Sequence, residues 1–244
     1  AGKNLTLSSS NLNLNAAVSG TGSLFLVPYS ASGTMGLGTA SVGTLKLDDT
    51  ELTRIQDGWS QIVFGRNSAS SLFAGAVDVR AKTWSDSVEL ASNAGTGVTI
   101  NGAQNMGVNN LTINANALVV GANLTGTGDL TIKPSTVSTT IGIGNASVGT
   151  LNLTNAELAF IQSGWNKATF GRVDGTGAMD LRAYTWNLWD TYFTTLSGAI
   201  TVNGAQTVTN KLVNFTTNNL NVLANLTPSG PTARLEIMPA TVSG

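Results

Sequence analysis

Carboxylates are the side chains through which this sequence could carry out acid–base chemistry. The chain contains 13 Asp and Glu residues but no His and no Cys. This removes the usual general base at neutral pH, thiolate chemistry and nearly all zinc or copper sites. Glycoside hydrolysis requires only a pair of carboxylates. Cleavage of polysaccharides is therefore the chemistry to consider, provided that two carboxylates meet at one exposed place.

The charged residues form one set that occurs twice in the chain and one that occurs once. An active site normally occurs once, whereas structural devices recur, so we interpret the recurring residues as helix caps and surface ion pairs. The recurring residues are Glu51 and Glu157, Asp78 and Asp180, Arg66 and Arg172, and Arg80 and Arg182. Among the carboxylates that occur once, the candidates are Asp48, Asp49, Asp57, Asp86, Glu89, Asp174 and Asp190. Because none of them forms a calcium-loop or similar ligand pattern, we expect no catalytic residue, no metal and no cofactor.

Aromatic residues are concentrated at one place in the second half of the chain. Five aromatic residues fall within ten positions: Tyr184, Trp186, Trp189, Tyr192 and Phe193. Exposed aromatic side chains commonly anchor contacts. One interpretation is a patch that stacks on glycans or binds a neighbouring subunit. The other is a loop that folds its aromatic side chains back onto the protein.

These residues belong to a unit that recurs along the chain. Residues 40–66 and 146–172 are identical at 16 of 27 positions, at an offset of 106. Downstream matches continue at an offset of 102, because the second copy lacks four residues between Arg172 and Met179. A third, incomplete copy follows. The repeats are approximately 1–106, 107–208 and 209–244.

Short apolar–polar–apolar triplets run through every copy and predict an all-β fold. Leu45-Lys46-Leu47 and Val98-Thr99-Ile100, for example, each place two apolar side chains on one face. Clusters of Gly, Asn and Ser between the triplets supply turns. The pattern favours a parallel β-helix, or β-solenoid, that is continuous over residues 1–244. Tandem immunoglobulin-like β-sandwiches are the alternative, but they need fewer and longer strands.

One segment of each copy breaks the β pattern. A capping residue three positions before a Glu predicts a two-turn helix, a following Gly supplies a left-handed stop, and a Trp then covers the helix end or a core edge. These residues are Glu51, Gly58 and Trp59 in the first copy and Glu157, Gly164 and Trp165 in the second. If each coil takes roughly 20 residues, the chain makes about 12 coils, with about five coils per copy.

The block G-T-L-x-L-x-x-x-E-L-x-x-I-Q-x-G-W, followed by F-G-R and a D-x-R strand, resembles a known repeat. It is similar to repeats of very large secreted bacterial proteins of the filamentous haemagglutinin-like, two-partner-secretion type. Those relatives usually have Phe where this chain has Trp59 and Trp165. The resemblance covers most of the chain. It implies a right-handed parallel β-helix in a surface rod, adhesin or matrix fibre, with no enzymatic activity in the rod.

Composition narrows the possible partners. The 12 Lys and Arg residues nearly balance the 13 acidic residues, which argues against nucleic-acid binding, and no apolar run is long enough for membrane insertion. We expect a structural segment of an extracellular, cell-surface fibre that stacks end to end with other copies of itself or with adjacent repeats. The alternatives are a glycan-binding adhesin module that uses the aromatic patch and a polysaccharide-active β-helix enzyme.

Overall fold

The computed structural model describes residues 2–66 and 73–241, and they form a parallel β-helix with two short helices. Within these ranges every pair of named strands is parallel. Stacked coils require parallel pairing, whereas immunoglobulin-like sandwiches are antiparallel. The predicted fold class is confirmed and the sandwich alternative is wrong.

The strands are short and follow one another around the coil. The first half contains β1 (Leu5–Ser8), β2 (Ser23–Val27), β3 (Met35–Leu37), β4 (Leu45–Leu47), α1 (Asp49–Arg54), β5 (Gln61–Phe64), β6 (Val77–Val79), β7 (Lys82–Thr83), β8 (Val88–Ala91), β9 (Val98–Ile100), β10 (Gln104–Asn105), β11 (Leu111–Asn114), β12 (Leu118–Val120) and β13 (Leu124–Thr125). The second half contains β14 (Asp129–Lys133), β15 (Ile141–Ile143), β16 (Leu151–Leu153), α2 (Asn155–Leu158), β17 (Lys167–Gly171), β18 (Met179–Leu181), β19 (Tyr184–Trp186), β20 (Asp190–Thr194), β21 (Ile200–Val202), β22 (Gln206–Thr209), β23 (Leu212–Thr216), β24 (Leu220–Val222), β25 (Leu226–Ser229) and β26 (Arg234–Met238).

One face of the β-helix is a single long sheet, whereas the other two faces are interrupted. The long sheet has ten strands in the order β1-β2-β5-β8-β11-β14-β17-β20-β23-β26. The other strands form two five-stranded sheets, β4-β3-β6-β9-β12 and β16-β15-β18-β21-β24, and two three-stranded sheets, β7-β10-β13 and β19-β22-β25. Each strand of the long sheet marks one turn of the chain, so the β-helix has ten turns. At about 4.8 Å per turn its length is about 48 Å.

The hydrophobic core is a column of side chains stacked from turn to turn. Leu111 in β11 lies beside Leu130 in β14, and neither is more than 1% exposed. Further along, Phe170, Phe193 and Phe215 stack with ring centroids 5.7 and 5.6 Å apart. Because most apolar contacts join neighbouring turns, each turn depends on the next for its burial.

The turns are unequal in length, which corrects the expected number of coils. Leu24 pairs with Ile62, 38 positions later, whereas Leu111 pairs with Leu130, 19 positions later. The wide turn carries β3, β4 and α1, and its counterpart carries β15, β16 and α2. In this wide turn β4 pairs with β3 of the same turn. The residues of β4 and α1 therefore lengthen the turn but do not add another turn along the axis. The expectation of 12 coils and five per repeat was therefore wrong, and one repeat takes four turns.

Candidate functional site

The recurring glutamates hold both helices and tie each helix to the preceding turn. Both helices begin with a capping box. One carboxylate oxygen of Glu51 accepts from the N–H of its N-cap residue Asp48 at 3.0 Å, and the other accepts from the N–H of Leu14 at 3.1 Å. Glu157 likewise binds its N-cap residue and the N–H of Val120, at 2.9 and 3.3 Å. The predicted capping role is confirmed, and the second contact bridges the break between sheets beside the helix.

The helices are shorter than predicted, and the glycines after them do not end them. α1 has six residues and α2 has four. Gly58 and Gly164 have φ values of +119° and +117°, which favour glycine, but they lie beyond the C-caps Ile55 and Ala159. Ile55 leaves the helix to form a parallel bridge with Val18. The two-turn helix and the glycine stop were therefore wrong, because pairing with the preceding turn ends the helix first.

The tryptophans after these glycines close the edge of the core against the preceding turn. Trp59 and Trp165 are 5% and 3% exposed. A Cβ atom added at Gly126 would lie 2.9 Å from the ring of Trp165, and one added at Gly20 would overlap Trp59. The indole N–H of Trp165 also donates to a carbonyl of the preceding turn at 3.3 Å. Each tryptophan thus needs a glycine on the turn that it covers.

The recurring aspartates anchor the loops that join β3 to β4 and β15 to β16. Asp180 accepts from the N–H of Val148 at 2.7 Å, from the amide of Asn203 at 2.7 Å and from Arg182 at 2.9 Å. Burial raises the pKa of Asp180, but these donors outweigh burial and hold the pKa below its ordinary value. Asp78 has the corresponding three partners. Each aspartate forms an ion pair with the arginine two positions later, in keeping with the ion pairs predicted for the recurring charges.

Arg66 and Arg172 occupy equivalent positions but have different partners. Arg66 donates two hydrogen bonds to Glu89, at 3.0 and 2.8 Å, and Asn114 donates a third at 3.1 Å. Burial raises the pKa of Glu89, yet the hydrogen bonds from Arg66 and Asn114 outweigh it and lower the pKa overall. Arg172 pairs with Asp174 at 2.7 and 2.8 Å and donates to two backbone carbonyls. Arg66 thus joins neighbouring strands of the long sheet, whereas Arg172 ties its own loop to the preceding turn.

The carboxylates that occur once are mostly committed to structural contacts. Asp48 caps α1, and Asp190 accepts from a backbone N–H at 2.9 Å. Asp86, 4% exposed, accepts from the N–H of Gly58 at 3.0 Å. Its pKa is raised, first by burial and also by the neighbouring carboxylate of Asp57. A carboxyl group of raised pKa beside a carboxylate is a pattern used by general acids, but Asp86 is buried and accepts a backbone N–H, so it too makes a structural contact.

The structure separates the five aromatic residues predicted for partner contact. Trp186, Trp189 and Phe193 are at most 2% exposed and belong to the core, so a glycan or another subunit cannot reach them. Tyr184 and Tyr192 are half-buried. Burial raises the pKa of Tyr184. Of the two interpretations of this cluster, an exposed patch is therefore left with only two tyrosines, because the other three side chains pack onto the core.

Trp186 belongs to a buried hydrogen-bonding pair that recurs. Its indole N–H donates to the side-chain carbonyl of Gln206 at 2.8 Å. Trp84 donates to Gln104 at the same distance in the first copy. The recurrence identifies Trp186 as a structural residue.

The outer face of the long sheet differs between the two copies. Phe25 and Val63 lie at outward positions of β2 and β5 in the first copy and are 6% and 0% exposed. Their counterparts in β14 and β17 are Thr131 and Thr169, which are paired and half-buried. The second copy also lacks four residues soon after β17. It therefore presents hydroxyl groups where the first copy has buried apolar side chains.

A shallow depression lies on this outer face of the second copy. Its lining includes Thr131, Lys133, Thr169, Arg172 and Asp174. The Arg172–Asp174 pair forms one wall. Within residues 2–66 and 73–241, neither threonine hydroxyl has a protein partner, and the ammonium group of Lys133 has none. These groups are available to a ligand.

Tyr192 adjoins this depression on the next strand, opposite Thr169. Lys167 Nζ lies 5.7 Å from the centroid of its ring and 3.3 Å from a carboxylate oxygen of Asp129. We call the surface formed by Thr131, Lys133, Thr169 and Tyr192 the open face. Of these four residues, only Tyr192 was predicted from the sequence to contact a partner. The missing four residues and the replacement of apolar residues by threonine were the signals that could have revealed the rest.

Comparisons with protein-family models, with curated proteins and with solved structures gave no match. Among the residues that the structure describes, no helix has the length and apolar character needed to cross a membrane. The same residues contain no group of three acidic, His or Cys side chains arranged to hold a metal ion.

Proposed function

We propose that this chain is a structural segment of an extracellular, cell-surface rod of the filamentous haemagglutinin-like kind, and that like repeats stack end to end along its axis. In this proposal the recurring charges serve the architecture and the rod carries out no chemistry. The observation that carries it is that positions buried inside the β-helix are exposed at its ends, where another repeat would bury them.

The equivalent positions of successive repeats make this comparison direct. Ile237 in β26 is 63% exposed, whereas its counterpart Ile132 in β14 is 1% exposed. Leu226 is half-buried, whereas its counterpart Leu124 is fully buried. At the other end the half-buried leucines are Leu5, Leu7 and Leu12. Because the following turns of the same repeat cover these positions in the interior, a like repeat has the shape and register to cover them at the ends.

Backbone groups at the ends support the same partner. Towards the C-terminus, β26, β24 and β25 each end their sheet with one edge that has no strand beside it among the described residues, and such edges pair readily with another chain. Head-to-tail stacking of this kind is heterologous and gives filaments when the rotation does not close. The rod would thus extend along its own axis.

End-to-end stacking is tested by measuring assembly against protein concentration. Analytical ultracentrifugation and electron microscopy of the purified chain should show rods of constant width whose length grows with concentration. Ile237→Asp should abolish this growth, because it places a charge in the stacking surface. Val119→Asp is the matched control, because Val119 is 52% exposed in the middle of the chain. Monomers at every concentration, or equal loss of growth in both variants, would overturn the proposal.

A further inference from the structure

We propose that the open face binds an acidic oligosaccharide, with a sugar carboxylate on Lys133 and a sugar ring against Tyr192. The proposal deepens the proposed function, on which it rests only for the extracellular setting. It concerns the side of the rod, whereas stacking concerns the ends.

The floor of the open face matches the chemistry of a sugar. Thr131, Thr169 and Tyr192 occupy directly paired positions on three successive strands, so their side chains are spaced at about 4.8 Å. Their hydroxyl groups have no partner among the described residues. Each can both donate and accept a hydrogen bond, as sugar hydroxyls can. A row of this kind suits a chain of sugar rings lying across the strands.

The charges around the depression favour a carboxylate on the ligand. Lys133 lies close enough to Glu89 and Asp174 to lower the pKa of each. Both carboxylates, however, already take two hydrogen bonds from an arginine. Lys133 is therefore the cation at this place that retains all its donors, and an ammonium group binds a carboxylate more strongly than a neutral hydroxyl.

Tyr192 supplies the apolar surface that a sugar ring needs. Its side chain is half-buried, so part of the ring is accessible. Lys167 lies near the ring and is held by Asp129, which restrains both side chains. A restrained aromatic ring loses little conformational entropy when a ligand binds. The site is thus formed before the ligand arrives.

The test measures binding of oligogalacturonate, a polymer of carboxylated sugars, to the purified chain by isothermal titration calorimetry. Lys133→Gln and Tyr192→Thr should each weaken binding by about tenfold or more, because each removes one principal contact. Lys46→Gln and Tyr29→Thr are the matched controls. Lys46 is exposed on another face and Tyr29 is 75% exposed in the first copy, so both should leave the affinity unchanged.

Two further polymers test whether binding requires both a negative charge and a sugar ring against Tyr192. Neutral dextran should bind at least about tenfold more weakly than oligogalacturonate. If dextran sulfate binds, Tyr192→Thr should weaken its binding as well. No binding of oligogalacturonate, equal binding of dextran, or equal losses in the control variants would overturn the proposal. Because the assay uses the dissolved chain, its failure leaves end-to-end stacking untouched, and failure of stacking leaves this site untouched.

Discussion

Buried glutamines form the internal polar contacts of this β-helix. Gln206 is fully buried; it accepts from the indole N–H of Trp186 and donates to the carbonyls of Arg182 and Gly204, at 2.7 and 2.8 Å. Both hydrogens of its amide nitrogen and its amide oxygen are therefore engaged. A side chain without these groups would leave three buried polar atoms unsatisfied.

Gln206→Leu should lower the free energy of unfolding by about 2–3 kcal/mol, because unsatisfied buried polar groups are costly. Urea denaturation followed by circular dichroism measures the change. Gln56→Leu, at an exposed glutamine, should change stability by less than about 0.5 kcal/mol. Similar effects of the two substitutions would show that the buried contacts contribute nothing particular.

The Arg66–Glu89 pair should make stability depend on pH. The pKa of Glu89 is below its ordinary value of 4.5, so the ionised form stabilises the fold above that value, and this contribution is lost as pH falls through the lowered pKa. Glu89→Gln should cost about 2 kcal/mol at pH 7, and the cost should shrink as pH falls below 4.5. Urea denaturation at several pH values measures it. Glu236→Gln, in an ion pair with 4.0 Å separation, is the control, and a cost independent of pH would contradict the argument.

At the scale of the elements, the helices are held by the turns beside them. An isolated helix of four to six residues is not stable in water, so α1 and α2 need tertiary contacts. Leu52 and Leu158 insert into the core, and the two glutamates join each helix start to the previous turn. Each helix is thus an integral part of its turn, packed against the core of the β-helix.

Glu51→Ala should destabilise the protein by about 1–2 kcal/mol, because it removes both the capping contact and the acceptor for the N–H of Leu14. Thr50→Ala is the matched control on the same helix, since Thr50 is exposed; its effect should stay within about 0.5 kcal/mol. Amide hydrogen exchange should also become faster at Leu14 in Glu51→Ala. Unchanged exchange at Leu14 would contradict the link between turns.

At the scale of the whole molecule, stability should grow with the number of stacked repeats. Interfaces between neighbouring turns provide most of the burial, and such proteins behave as one-dimensional arrays. Residues Lys133-Pro134 match Met238-Pro239, so a further copy of residues 134–238 can follow Met238 in register. This extension would bury Ile237 and Leu226.

The extended chain should unfold in one transition, with a higher urea midpoint and a steeper dependence on urea, because more surface is buried in one cooperative unit. A matched chain with a flexible Gly-Ser linker at the junction should lack the increase, since the linker prevents stacking. Two separate transitions in both chains would indicate independent units.

The parallel β-helix, the repeat and the helix caps could all be predicted from the pattern of residues along the chain. Triplets such as Leu45-Lys46-Leu47 and capping residues three positions before Glu51 act through neighbours close in the chain, so their spacing predicts their structure. The burial of the aromatic residues could not be predicted in this way: Tyr192 and Phe193 are neighbours on opposite sides of β20, and the side that faces the core follows from the register between turns.

The contacts between residues of different turns could not be predicted from the sequence and are seen only in the folded protein. The contact of Glu51 with Leu14, the pair of Arg66 with Glu89 and the open face all join positions about 20 to 40 residues apart. The number of turns could not be predicted either, because the wide turn takes about twice as many residues as the others. Stacking sets the register between strands of neighbouring turns, but the number of residues between those strands varies. That number can change without altering the apolar–polar–apolar pattern within each strand, so the pattern does not reveal which strands are paired.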